Sequence, residues 1–563
     1  MEWLRHTQVR ATREKPFFPN AHSSPVSTYF QGDAYMHTDR FTPLDAATLL
    51  RWMQHDLPNK QLFGIDRELF FMPKPDDPFR MERYGKVLET PLGVAAGPHT
   101  QLAQNILSAW LCGARYIELK TVQVLDELNV AKPCIDMADE GYNCEWSQEL
   151  KLDQSFEEYL KAFVLLYVLR DMLNLPVEAE PGKGPGFIFN MSAGYNLEGI
   201  KSPALQRFLD RMENAEEDVK RIKAGLAPLS PAIEKMPIPA RLSDNLTVST
   251  MHGCPPDEVE SIGRYFITER KYNTAIKLNP TLLGPERLRD ILNTQLGYDV
   301  CVPDEAFGHD LKYNDGVAII RNLAAAAETA GVAFGLKLTN TLETANEKQN
   351  LPRSEGMVYM SGRSLHPISI NLAERLQQEF DGKLDITFSA GVDTFNVADT
   401  LACGLRPITM SSDILKPGGY GRLHQYLDTL RAEMRKAGAH TIAEWEKSRS
   451  PIAGNPGFAN LVSYAAAVLG KRSRYHKERF PYVSVKTERP LPRFDCAAAP
   501  CMSGCPAEQD IPRYLDAVAR GDFELAWRVI TATNPFPNVQ GMACNHQCQS
   551  RCTRINYDKP LMI

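Results

Sequence analysis

Residues 274–279 read TAIKLN, a short run with β-branched members that ends in polar residues and leads into a helix-like stretch. Seven other runs repeat this design: LGVAAG (92–97), YIELKT (116–121), FIFNMS (187–192), LTVST (246–250), FGLKLT (334–339), ITFSAG (386–391) and ITMSS (408–412). The intervals between them hold segments such as QLAQNILSAWLCGA and VADTLACGL, whose apolar spacing suits crossover helices. Strands that alternate with helices imply a parallel sheet. Eight such units imply an α/β fold of the (β/α)8 TIM-barrel type, with a doubly wound sheet as the alternative.

In a barrel the chemistry sits at the C-terminal ends of the strands. Here those ends carry His99, Lys120 with Thr121, Asn190, the loop TMHGCPP, Lys277 with Asn279, Lys337, Asn340 with Thr341, and Ser411 with Ser412. Buried lysines need partners. Three of them on barrel strands point to a bound electron-rich group, unless one or two turn outward between strand and helix. The seventh and eighth runs end in SAG and SSD, and MSGRS (360–364) adds a glycine turn ahead of the seventh. Small residues at those strand ends expose backbone N–H groups and favour a phosphorylated cofactor. PGKGPG (181–186) lacks the strand–turn–helix setting of a dinucleotide fingerprint.

The loop STMHGCPPDEVE follows the fourth run. Cys254 lies in it between Gly253 and two prolines, where a thiol could move a proton at a carbon centre. His252 is the rival acid–base group, and a buried loop cysteine without chemistry is the plain alternative for Cys254.

The 563 residues carry a net charge of −6, with 43% hydrophobic and 23% charged residues. That balance argues against binding to nucleic acid or to an anionic membrane. No apolar run is long enough to span a bilayer and no signal peptide is visible, so a cytoplasmic location is the default expectation. Six of the twelve cysteines fall in the last 68 residues, a crowding that favours metal ligation over disulfides in a reducing compartment. The expected domains are a leader or extension over 1–35, a helical lead-in over 36–85 with Thr42 as its cap, and the barrel over 86–430. A helical linker over 431–488 and a helical cysteine-bearing domain over 489–563 complete the chain.

The runs LGVAAGPHT, IELKT, GCPP, IKLNP, LTNT, MSGR, FSAG and TMSSD together resemble the FMN-binding barrel of dihydroorotate and dihydropyrimidine dehydrogenases. GPHTQLAQNI, ELKTVQ, KPCID, STMHGCPP, KLNPTLLG and KLTNTL narrow the resemblance to the group named as selenate reductase subunits. It extends from about Gln61 to the end of the chain. The resemblance implies an FMN site in which Lys120 and Lys277 contact the flavin ring. Ala95 and Ala96 would also line that site, and Gly362, Ala390, Gly391, Ser411 and Ser412 would hold the FMN phosphate. It further implies that Asn143, Asn340 and Thr341 bind a small heterocyclic lactam and that Cys254 serves as the acid–base group. Relatives carry an asparagine three residues before that cysteine, where Met251 stands here. This departure turns the substrate expectation from a pyrimidine toward an oxidised purine.

The tail CAAAPCMSGCP…GMACNHQCQSRC resembles the iron–sulfur domain of dihydropyrimidine dehydrogenase and of the glutamate synthase small subunit. Its Cys-Pro ending and its lack of Cys-x2-Cys pairs favour iron–sulfur ligation over zinc. The resemblance implies up to two [4Fe–4S] clusters, with Cys496, Cys501 and Cys552 on one and Cys505, Cys544 and Cys548 on the other. Six cysteines leave each cluster one ligand short, to be met by an atypical ligand, a [3Fe–4S] form or another chain. In the resembling group the tail leads into an FAD- and NAD(P)H-binding domain, so such a domain or a separate flavoprotein is the expected electron partner. Homo-oligomer formation is left open. The expected function is an FMN- and iron–sulfur-dependent oxidoreductase, dihydropyrimidine dehydrogenase-like, acting on a C=C or C=N bond. The alternative is an electron-transfer subunit of a molybdenum-type reductase, like selenate reductase or xanthine dehydrogenase, with no substrate of its own.

Overall fold

A computed structural model describes residues 41–125, 130, 134–136, 146–249, 252–347, 355–416, 418–450, 454–479, 499–552, 561 and 563. The expected leader over 1–35, Asn143, Met251 and Cys496 lie outside these residues.

The eight runs form eight parallel strands of one closed barrel. They are β1 (Leu92–Val94), β2 (Tyr116–Glu118), β3 (Ile188–Ala193), β4 (Asn245–Val248), β5 (Asn273–Leu278), β6 (Phe334–Leu338), β7 (Ile386–Phe388) and β8 (Ile408–Met410). Each pairs with its sequence neighbours, and β8 closes on β1 through Ile408 opposite Leu92. The ring is tight at β1–β2: a Cβ on Gly93 would lie 2.0 Å from the Tyr116 carbonyl oxygen, so only glycine fits. The polar residues that ended each run stand just beyond the strands, at the end where a barrel builds its site.

The opposite end is closed by a hairpin, Met81–Arg83 with Lys86–Leu88. Arg83 is buried there, donating to the Asp385 carboxylate at 2.9 Å and to Thr387 Oγ1 at 3.1 Å at the start of β7. The lead-in helix runs Ala46–Asp56. Its cap is Asp45, not Thr42 as expected, because the Asp45 carboxylate accepts from the Thr48 backbone N–H at 2.8 Å and from the Thr48 hydroxyl.

The helix Arg422–Lys436 crosses the boundary expected at 430. Beyond it, Trp445 and Tyr475 are buried, and Tyr464 and Tyr475 pack on His366 of the helix Leu365–Glu379. The stretch expected to be a linker is therefore joined to the barrel's core. A three-stranded sheet was not foreseen. In it Leu342–Ala345 pairs antiparallel with Met357–Met360, and Met357–Met360 pairs parallel with Ile135–Asp136. Met360, expected to open a glycine turn, ends a strand of this sheet.

In the tail, Ile511–Ala519 packs on Phe523–Thr533, and Pro500–Ser503 packs on Gln547–Ser550. No helix among the described residues is long and apolar enough to cross a membrane.

Candidate active site

A cavity of about 550 Å³ opens at the C-terminal ends of the strands, within the range of small-molecule sites. Ala95, Ala96, Lys120, His252, Lys277, Asn340, Thr341, Ala390, Gly391, Ser411 and Ser412 all line it. The fold thus gathers most of the residues singled out in the sequence. Four described ones, Gly362, Cys254, Asn190 and Asn279, are absent from the lining.

All three lysines reach the cavity, so none turns outward. Their partners differ. Lys337 pairs with the Glu118 carboxylate, and both are buried. Glu118 also accepts from the Ala96 N–H at 3.1 Å and from the Thr409 hydroxyl at 3.3 Å, which ties β1, β2, β6 and β8 together. Burial pulls the Lys337 ammonium down to about 7, although the Glu118 carboxylate lies against it. Lys120 donates to the Trp146 carbonyl at 2.8 Å. Lys277 has no hydrogen bond or ion pair among the described residues, and burial depresses its pKa to about 8. It stands directly across from Lys337 in the β5–β6 register. A second basic group, His99, is lowered to about 4, first by burial and then by Lys120 and Lys337, so its ring is neutral at pH 7.

The small-residue segments converge. Gly391 has φ of +51°, and a Cβ there would lie 2.3 Å from the Gly362 carbonyl oxygen. Ser361 and Ser412 share a hydroxyl hydrogen bond of 2.9 Å. The buried Ser364 hydroxyl, at the N-terminus of Leu365–Glu379, has no partner among the described residues. Backbone cradles of this form, beside a helix N-terminus, suit a phosphate. A phosphorylated, electron-rich cofactor fits these residues: the cradle would take its phosphate and Lys277 would stand beside its ring.

Part of the site was not visible in the sequence. The His252 Nδ1 lies 3.0 Å from the Asp310 carboxylate and 3.3 Å from Asn279 Nδ2. Asp310 also accepts from the Thr281 hydroxyl at 2.6 Å and the Gly253 N–H at 3.2 Å. Burial raises the Asp310 pKa, but these bonds outweigh it and hold the carboxyl below its usual range. The His252 ring leans on Tyr359, with centroids 5.5 Å apart. His309 bonds through Nε2 to Glu343 at 2.8 Å, and both line the cavity. The only hint of these partners was the pair His309–Asp310 in the long segment between β5 and β6. For Glu118 the signal was an acid two residues before Lys120, on the same face of one strand.

Cys254 is half-buried, and its thiol is pushed up to about 11 by burial and by Glu258 and Asp257, which disfavours the thiolate. Asn190 is spent inside the barrel wall, donating to Thr247 Oγ1 at 2.8 Å.

In the tail, Cys501, Cys505, Cys544 and Cys548 lie within electrostatic reach of Tyr514. Its phenol is pushed up to about 12, first by burial and then by these thiols. Cys548 is itself raised, by burial and then by Cys544 and Cys505.

The description "Oxidoreductase YgfK, N-terminal TIM-barrel domain" matches residues 63–452. Residues 484–563 match "Dihydroprymidine dehydrogenase domain II, 4Fe-4S cluster". The chain is 40% identical over 524 residues to "Putative oxidoreductase YgfK" of Escherichia coli K12, covering 90% of this chain. It spans about half, 48%, of that relative's length. Over 65 residues it is 42% identical to "NADP(+)-dependent formate dehydrogenase subunit beta" of Moorella thermoacetica, which is 12% of this chain and 9% of that protein. Also over 65 residues, it is 38% identical to "Glutamate synthase [NADPH] small chain" of Mycobacterium tuberculosis, 11% of this chain and 13% of that protein.

Proposed function

The chain belongs to the YgfK family of oxidoreductases, and from that premise we propose that its barrel holds FMN and transforms a small heterocyclic lactam, an oxidised purine or a pyrimidine. The observation that carries this reading is Lys277, a part-buried ammonium with no partner among the described residues, on the lining of a cavity with a phosphate cradle.

Gly362, Ala390, Gly391, Ser411 and Ser412 would hold the phosphate, and Ala95, Ala96, Lys120 and Lys277 would hold the ring. Bound FMN supplies the exchange of two electrons with substrate. Lys277 holds a fixed positive charge beside the ring without reorganising. Asn340 and Thr341 orient the substrate's lactam groups. Proton transfer is assigned to His252, which Asp310 orients, instead of to Cys254, which does not line the cavity.

Cys254→Ala is therefore expected to keep turnover within about threefold, whereas His252→Asn lowers it by roughly 10²–10⁴-fold, the usual contribution of a general acid–base group. Anaerobic assay of both variants against a panel of purines and pyrimidines, at equal FMN content, tests this. Loss of turnover in Cys254→Ala alone would return the role to the thiol.

The tail domain is read as the electron conduit to an FAD- and NAD(P)H-binding partner, carrying Cys505, Cys544 and Cys548 on one [4Fe–4S] cluster. Cys496, Cys501 and Cys552 would serve the other. Cys548→Ser is expected to remove about half of the bound iron, since each cluster depends on its own thiolates. FMN content should be unchanged. Iron equal to wild type in this variant would contradict the ligand set. Turnover absent with every heterocycle, in a protein fully loaded with FMN and iron, would favour an electron-transfer subunit of a molybdenum-type reductase instead.

A further inference from the structure

We propose that His252, His309 and Glu343 form a site for one divalent transition-metal ion of the zinc class on the lining of the barrel cavity. A nitrogen of each imidazole and a carboxylate oxygen lie within 4.8 Å of one another, and all three residues line the cavity. Two imidazoles and one carboxylate make a ligand set that zinc takes at about 2.0–2.1 Å. A tetrahedral ion with such bonds sets its ligand atoms about 3.4 Å apart. The His309–Glu343 hydrogen bond of 2.8 Å is shorter than that spacing, so an ion would replace it and part the two atoms by about 0.6 Å, while the His252 nitrogen, within 4.8 Å, would close in.

The three ligands come from separate parts of the chain: the loop after β4, the helix Asp304–His309, and the strand Leu342–Ala345. Outer contacts orient His252 as a metal ligand is usually oriented. The Asp310 carboxylate engages Nδ1 and is itself fixed by Thr281 and the Gly253 N–H. Nε2 is buried and has no hydrogen-bond partner among the described residues, which leaves the ring one open donor atom. Glu343 is held in register by the pairing of its strand, opposite Tyr359. Three protein ligands leave a fourth position for water or substrate, the arrangement of a reactive rather than a purely structural zinc site.

The consequence for substrate rests on the function proposed above. An ion here would take the His252 Nε2 that proton transfer otherwise uses, so the proton would pass through water held in the fourth position, and heterocycles offering a ring carbonyl oxygen or ring nitrogen to the ion would be favoured.

The test uses the full chain, purified anaerobically, stripped with EDTA and dialysed against Zn²⁺, with zinc, iron and FMN measured together. Wild type is expected to take up one zinc per chain more than Glu343→Gln or His309→Asn, each variant binding at least tenfold more weakly at unchanged iron and FMN. His309 has a side chain 40% exposed, so its replacement leaves the fold intact. As a check independent of any variant, anomalous scattering at the zinc edge should show a peak between the three side chains of wild type. Equal zinc uptake by wild type and both variants, or no peak there, would overturn the site. FMN content reads the flavin proposal separately, so either can fail without the other.

Discussion

Lys277→Met is expected to lower turnover by roughly 10²–10³-fold, the loss that follows removal of one preorganised electrostatic group from a closed site. The same variant should be more stable than wild type when both are free of flavin. Burial depresses the Lys277 pKa from 10.5 to about 8, a difference of about 3 kcal/mol. The unfolded chain binds this proton more tightly than the folded one. Folding is therefore penalised in full below pH 8, and stability recovers as the pH rises from about 8 to 10.5. Methionine removes the penalty. The stability gap between variant and wild type should be about 3 kcal/mol at pH 7 and close as the pH approaches 10.5. Denaturant melts of both proteins across that range, beside steady-state rates, measure the two effects. A variant that keeps turnover within twofold would remove Lys277 from the site.

Glu118→Gln has the second large effect, and it falls on the fold. It leaves the buried Lys337 ammonium without its carboxylate, and breaking a buried pair in this way costs about 3–5 kcal/mol. Lys337 would then resemble Lys277, with two unpaired ammonium groups side by side in the β5–β6 register. The double variant Glu118→Gln, Lys337→Met should recover more than half of the loss, because the stranded charge is gone. Urea unfolding of the two single variants and the double variant gives the coupling directly. A Glu118→Gln variant within about 1 kcal/mol of wild type would show that the pair contributes little, against the usual figure for buried pairs.

The barrel was legible because each strand carries its own signal. A run such as TAIKLN holds its β-branched core and its polar end within six residues, and the eightfold repetition of that pattern fixes the topology. The cradle was legible for the same reason, since Gly391 and Ser412 sit at fixed offsets from β7 and β8. Pairings over long separations were not. Glu118 and Lys337 belong to strands on different sides of the ring, and neither sequence neighbourhood names the other. The sheet over Leu342–Ala345, Met357–Met360 and Ile135–Asp136 escaped because its strands are two to four residues long and pair between distant loops. Its absence from the sequence reading hid Glu343 and Tyr359.

The loop TMHGCPP shows another limit. Sequence spacing brings His252 and Cys254 equally near the strand end. Only the backbone turn at Gly253, with φ of +83°, and the grip of Asp310 decide which side chain meets the cavity. Residues chosen for the cavity by strand position alone, such as Asn190, were diverted by a hydrogen bond inside the barrel wall. The same arithmetic of partners separates the three lysines. They look alike along the chain, yet one is paired with a carboxylate, one donates to a carbonyl, and one has no partner among the described residues.

The central claim is that the lysine-lined cavity is a flavin mononucleotide site. The most direct measurement is the amount and identity of flavin released by denaturing anaerobically purified wild type and Lys277→Met, read by chromatography. FMN near one per chain is expected in wild type, and the phosphate cradle should keep FMN in the variant, whose absorbance band before denaturation is altered. Wild type free of flavin that gains none on incubation with FMN would contradict it.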